Sequence, residues 1–101
     1  MTHPSKVKGN AYERELVNQA KLSGIDAKRA YASNGESLGM HAEVDLVVGG
    51  KRIQAKRRKS LASFMRPNEN VDAVAIREDR GDTLIVISWA EYLELVKKAM
   101  Q

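Results

Sequence analysis

The sequence predicts an α/β sandwich in which one mixed β-sheet is flanked by helices. Three observations predict it. Apolar residues at helical spacing run through residues 13–20, and again through 89–100. Between these stripes lie two short alternating segments joined by Gly49-Gly50. Two further segments rich in β-branched and aliphatic residues follow, linked by the polar residues 78–82. With 101 residues the chain has length for one hydrophobic core rather than two. The expected organisation is a flexible basic arm over 1–8 and a single domain over 9–101.

Taken in order, Asn10 is expected to open the first helix by capping its first turn. Glu13, three positions on, completes a capping-box pattern. Leu16, Val17 and Ala20 form the apolar stripe of this helix, and Ser23-Gly24 ends it. Residues 25–42 read as irregular or weakly extended, with Asn34-Gly35 and Gly39 as turn signals. Strands are expected over 43–48 and 51–56. The two glycines between them suit a type I′ turn, which needs positive φ at both central residues. Residues 61–65 suggest a helical turn that Pro67 stops, and 72–77 and 83–88 read as further strands. Ser88 then caps a last helix, with Glu91 three residues later. Its apolar face is Trp89, Tyr92, Leu93, Val96 and Met100.

Composition narrows the function classes. An apolar share of 43% beside 30% charged residues is a globular balance and argues against a wholly disordered chain. No stretch approaches the roughly 20 apolar residues of a membrane span. The charged N-terminal residues lead into no apolar run, so no secretory signal is expected. Cysteine is absent, which excludes disulfides and thiolate metal sites and fits a reducing cytoplasm. The formal net charge is only +4, but Lys51, Arg52, Lys56, Arg57, Arg58 and Lys59 fall close together. Such density favours polyanions through counterion release, and nucleic acid is the commonest polyanion in a cytoplasm. A solvated face that keeps a small protein soluble accounts for the same charge.

The hairpin concentrates the chemistry. A two-residue loop places Val48 opposite Lys51, hence Asp45 opposite Gln54 and Glu43 opposite Lys56. Glu43, Asp45, Arg52, Gln54 and Lys56 then share one face, while Val44, Leu46, Val48, Ile53 and Ala55 line the other as a core surface. Directly opposed β carbons stand roughly 4.5–5.5 Å apart, close enough for the Asp45 carboxylate and the Gln54 amide oxygen to share one cation. Lys56 points into the same space. Glu13 sits within the stripe of Leu16, Val17 and Ala20, where a carboxylate is costly unless something pairs with it. A metal ion or a lysine would pair with it. Alternatively, Glu13 is only the capping partner of Asn10. Hard oxygen ligands without cysteine point to Mg²⁺ or Mn²⁺. Such an ion polarises a phosphate oxygen and lowers the pKa of bound water, while Lys56 orients that water or stabilises developing charge. Gln54 adds a ligand without charge, so weaker metal binding is expected than at a three-carboxylate site.

These residues resemble the PD-(D/E)XK nucleases, most of all the archaeal-type Holliday junction resolvases and their small phage-encoded relatives. Lys8-Gly9, followed by Glu13-Arg14-Glu15-Leu16, is similar to the opening helix with its catalytic glutamate. Glu43-Val44-Asp45 resembles the strand that carries the metal-binding aspartate, and Ile53-Gln54-Ala55-Lys56 the closing motif. Gln54 stands where most members carry glutamate. The likeness spans residues 8 to 59, and the later elements agree only in order.

The resemblance implies a restriction-endonuclease-like core and a Mg²⁺-dependent endodeoxyribonuclease. Its catalytic residues would be Glu13, Asp45, Gln54 and Lys56, of which Glu13, Asp45 and Gln54 hold the metal. Arg29 is similar to a basic residue near the scissile phosphate. Lys8, Arg14, Arg52, Arg57, Arg58 and Lys59 are further candidates for phosphate contacts, which position DNA without reading sequence. Four-way junction DNA is the implied substrate and a homodimer the implied assembly, each subunit cutting one strand. Leu61, Phe64 and Met65 are a candidate interface, or else they close the core. For a phage-encoded member the compartment would be the bacterial host cytoplasm. A nuclease of flaps, nicks or linear DNA and an inactive DNA-binding module remain alternatives, and an RNA-binding role ranks behind them.

The other polar and aromatic residues have plainer explanations. Glu43 is expected to form a cross-strand ion pair with Lys56, and His41 to be a surface residue. Tyr12 and Tyr31 would stack on bases, line the groove or simply pack, and Trp89 and Tyr92 are expected in the core.

Overall fold

The computed structural model describes residues 4–30 and 35–101. Their order is α1 (Pro4–Leu22), β1 (Ala27–Arg29), β2 (Leu46–Val48), β3 (Lys51–Ile53), β4 (Val74–Ile76), β5 (Leu84–Val86) and α2 (Trp89–Ala99). Short 3-10 turns occupy Gly35–Leu38 and Ser63–Met65, the second just ahead of Pro67 as expected. Residues 1–3 of the expected arm, Tyr31, and Asn34 of the expected turn lie outside the described residues.

Two expectations about the first helix are corrected. It begins at Pro4, not Asn10, so residues 4–8 are helical and not a loose arm. Proline suits a first helical position, because the amide it lacks would have had no partner there. Asn10 therefore lies inside α1 and caps nothing, and its capping box with Glu13 does not form. The apolar stripe stands as expected, with Leu16, Val17 and Ala20 buried.

The sheet also differs. Among the described residues there are two antiparallel sheets in place of one mixed sheet. In the first, β2 is central. It pairs with β1 in the register Ala27↔Val48 to Arg29↔Leu46, and with β3 from Leu46↔Ile53 to Val48↔Lys51. The second is β4 with β5, from Val74↔Val86 to Ile76↔Leu84. β1 falls where irregular chain was expected. At three residues it is too short for alternation to announce it, and its order comes from pairing with β2.

Leu46 and Val48 share one face of β2 and are fully buried. Leu16, Val17 and Ala20 from α1 and Leu93 and Val96 from α2 meet them there, together with Ile25 and Ala27. Both helices thus feed one core. Val47, on the other face of β2, is buried as well, so this strand is covered more fully than simple alternation predicted. Ser88 caps α2 as expected, its Oγ accepting the Glu91 amide at 3.1 Å. Met100, expected on the apolar face of α2, is mostly exposed. No helix among the described residues is long and apolar enough to cross a membrane.

The Gly49-Gly50 turn ties the sheet to α2. Both residues have positive φ, +56° and +80°, as a type I′ turn requires. A β carbon on Gly49 would also stand 2.7 Å from Val96 Cγ1. Gly49→Ala is therefore expected to destabilise the fold by about 2 kcal/mol, through left-handed strain and crowding of α2. Urea unfolding checks this, and a midpoint equal to wild type would show that the turn is not held so tightly.

Candidate active site

Glu13, Asp45, Gln54 and Lys56 come together. With Glu43 and Ala55 they line one open cleft of about 430 Å³ between α1 and the β2–β3 hairpin. Among the described residues the two carboxylates are the buried polar ones, Glu13 at 5% and Asp45 at 8% exposure. Gln54 and Lys56 are exposed. Two acids held in a protein wall thus face a neutral amide and an ammonium at the rim.

Helical spacing alone puts Glu13 in the wall, one turn ahead of Leu16 and Val17. Its carboxylate accepts from Arg29 Nε at 3.1 Å, and Arg29 Nη2 donates to Asn10 Oδ1 at 3.3 Å. One companion of the buried acid is therefore an arginine at the end of β1, where a metal ion or a lysine was expected. The guanidinium of Arg29, which the resemblance places near a phosphate, is shared by two α1 side chains. Strand β1 is what carries it there. Because the sequence hid that strand, it also hid the pair.

Asp45 is fixed on three sides. Its carbonyl accepts the Ala30 amide at 2.8 Å, and its own amide donates to the Ile53 carbonyl at 2.9 Å. Its Oδ2 accepts the Ala55 amide at 2.7 Å. The direct Asp45–Gln54 pair expected from the hairpin register does not form, since regular pairing ends at Leu46↔Ile53. In an unbroken ladder the Ala55 amide would go to the Val44 carbonyl, but the Asp45 side chain takes it instead. A carboxylate outcompetes a neutral carbonyl for an amide hydrogen, so the ladder gives way at this point. The substitution helps the site, because it holds residues 54–56 beside the acid. Asp45 Oδ1 has no partner among the described residues.

The expected Glu43–Lys56 ion pair is also absent among the described residues. Glu43 donates its amide to His41 Nδ1 at 3.0 Å, and its Oε1 lies 4.0 Å from the same nitrogen. His41 is exposed, as expected. Lys8, Arg14, Arg52, Arg57, Arg58 and Lys59 are all exposed, the last three in irregular chain directly after the hairpin.

The donors in the cleft are the hard oxygens that a magnesium-class cation takes. Among the described residues no three His, Cys, Asp or Glu side chains gather as a metal cluster, so any ion here would rest on two acids and the Gln54 amide. Sequence reasoning missed a neighbouring hollow lined by Tyr12, Trp89 and Tyr92, which adjoins the cleft at Gln54. The helical spacing of Trp89 and Tyr92 did signal burial, but not that their rings border an opening. No family model matches the chain, and no curated protein or solved structure is similar enough to count as a match.

Proposed function

We propose that this protein is a divalent-metal-dependent DNA endonuclease with a restriction-endonuclease-like core, acting on branched DNA such as a four-way junction. One observation carries the reading. Two buried acids from separate elements, a neutral oxygen donor and a lysine line a single open cleft beside a run of exposed cations.

In this reading Glu13, Asp45 and Gln54 would hold Mg²⁺ or Mn²⁺, which when bound would supply polarisation of a phosphate oxygen and a more acidic water. Lys56 at the rim steadies the negative charge that grows on the phosphate as the water oxygen bonds to phosphorus. One phosphorus–oxygen bond to a sugar breaks; the attacking water gives up a proton to solvent and the leaving oxygen takes one from solvent, so the net reaction adds one water across the bond. Asp45 also positions Lys56, through its bond to the Ala55 amide. Arg57, Arg58 and Lys59, with Arg52, Lys8 and Arg14, hold flanking phosphates and make binding strongly salt-dependent.

Two cuts on one junction call for two sites, hence a homodimer. Exposed Leu61 and Phe64, with Leu84 and Ile85 of the second sheet, offer apolar surface for the second copy. The compartment that suits such an enzyme is the cytoplasm, where its substrate lies.

A second reading, a DNA-binding module that does not cut, is favoured by the Arg29 guanidinium already seated on Glu13. A panel of labelled junction, flap, nicked and linear substrates in Mg²⁺ and in Mn²⁺ separates the readings. Paired cuts in the junction by a sedimenting dimer, with linear duplex left whole, are expected. Equal cutting of linear DNA would remove the junction preference. Tight, salt-sensitive binding without cleavage would establish the second reading.

A further inference from the structure

We infer that the hollow beside the acidic cleft is a pocket for a single unstacked nucleobase of the bound DNA. This inference rests on the nuclease reading, and it names a feature of the substrate. The hollow measures about 510 Å³, within the roughly 300–1,000 Å³ of small-ligand pockets. It is lined by three aromatic residues, Tyr12, Trp89 and Tyr92, by Ile53 and Ile87, and by the polar Arg52 and Gln54. Trp89 and Tyr92 are stacked, their centroids 5.5 Å apart and their planes 27° from parallel.

Flat aromatic walls select a flat ligand, since base–ring stacking serves any base through its π-face. The Gln54 amide nitrogen offers a donor to a base edge while its oxygen serves the cleft. The Arg52 guanidinium suits an attached phosphate. No carboxylate lines the hollow, so nothing there repels an anion. Gln54 also lines the acidic cleft, so a nucleotide seated in the hollow keeps its backbone next to the two acids. Bases inside a duplex are stacked and paired, and freeing one costs energy. A branch point supplies such a base more cheaply, which gives the cleft a means of preferring branched over linear DNA.

Trp89 is the single tryptophan of the chain, so the fluorescence signal comes from a residue that lines this hollow. The wild-type protein in EDTA is titrated with a thymidine pentanucleotide and with an abasic strand of equal length and charge. The base-bearing strand is expected to quench Trp89 and bind at least about tenfold tighter. Tyr12→Leu, Tyr92→Leu and Arg52→Gln should each weaken that preference, the ring losses by roughly 5- to 150-fold. Equal binding and quenching by the two strands, or neither by either, overturns the pocket even if a tyrosine variant fails to fold. Junction cleavage is assayed separately in Mg²⁺. Cutting without base preference sinks the pocket alone, and base-dependent quenching without cleavage of any substrate sinks the nuclease reading alone.

Discussion

Asp45→Asn is expected to lower junction cleavage by about a thousandfold while junction affinity stays within about threefold of wild type. Asparagine keeps an acceptor oxygen for the Ala55 amide, so residues 54–56 remain in place. What it removes is the negative charge in the wall of the cleft, one of only two there that are buried. Phosphate grip lies in exposed cations elsewhere, which explains why binding should survive. Single-turnover rates and gel-shift affinities on one junction make the comparison. Cleavage within a few-fold of wild type would remove Asp45 from the chemistry, and affinity lost in step with rate would mean that the variant is misfolded.

Arg29→Met is expected to destabilise the protein by about 3 kcal/mol, a fall of roughly 10–20 °C in Tm for a domain of this size. Glu13 is buried and loses its guanidinium partner, while the methionine stem still covers the end of β1. The low end of the range for breaking a buried pair applies, because the Arg29 side chain is 23% exposed. The variant also tests the metal. If Glu13 is a ligand, Mg²⁺ meets no competing guanidinium there, so added Mg²⁺ should raise the Tm of Arg29→Met more than that of wild type. Equal metal shifts in the two proteins would take Glu13 out of the ligand set. A Tm drop of only a degree or two would mean that the ion pair contributes little.

How far the sequence disclosed this arrangement depends on which residues had strong local signals. The Gly49-Gly50 turn, the Ser88 cap and the stripe through Leu16, Val17 and Ala20 each announced themselves by local chemistry, and each is present. The positions of Glu13, Asp45, Gln54 and Lys56 about one cleft followed from the same stripe and the same turn. What failed needed tertiary knowledge. Three-residue β1 exists because β2 offers it a partner, and Arg29 reaches Glu13 only because β1 exists. The break in the hairpin at Asp45 was equally hidden. Alternation predicts a continuing ladder, and it takes a competition between the Asp45 carboxylate and the Val44 carbonyl for the Ala55 amide to end it. The early start of α1 at Pro4 was obscured by Gly9, which disfavours helix locally by about 1 kcal/mol, and by the attractive cap at Asn10. The separate β4–β5 sheet was legible as two strands but not as a unit apart from the first sheet.

An anomalous difference map from a crystal grown with Mn²⁺ measures the central claim most directly. The expected result is one peak in the cleft, roughly 2.0–2.3 Å from oxygens of both Asp45 and Glu13 and within reach of Gln54. The contradicting result is a cleft without manganese at saturating concentration, with Glu13 still on Arg29.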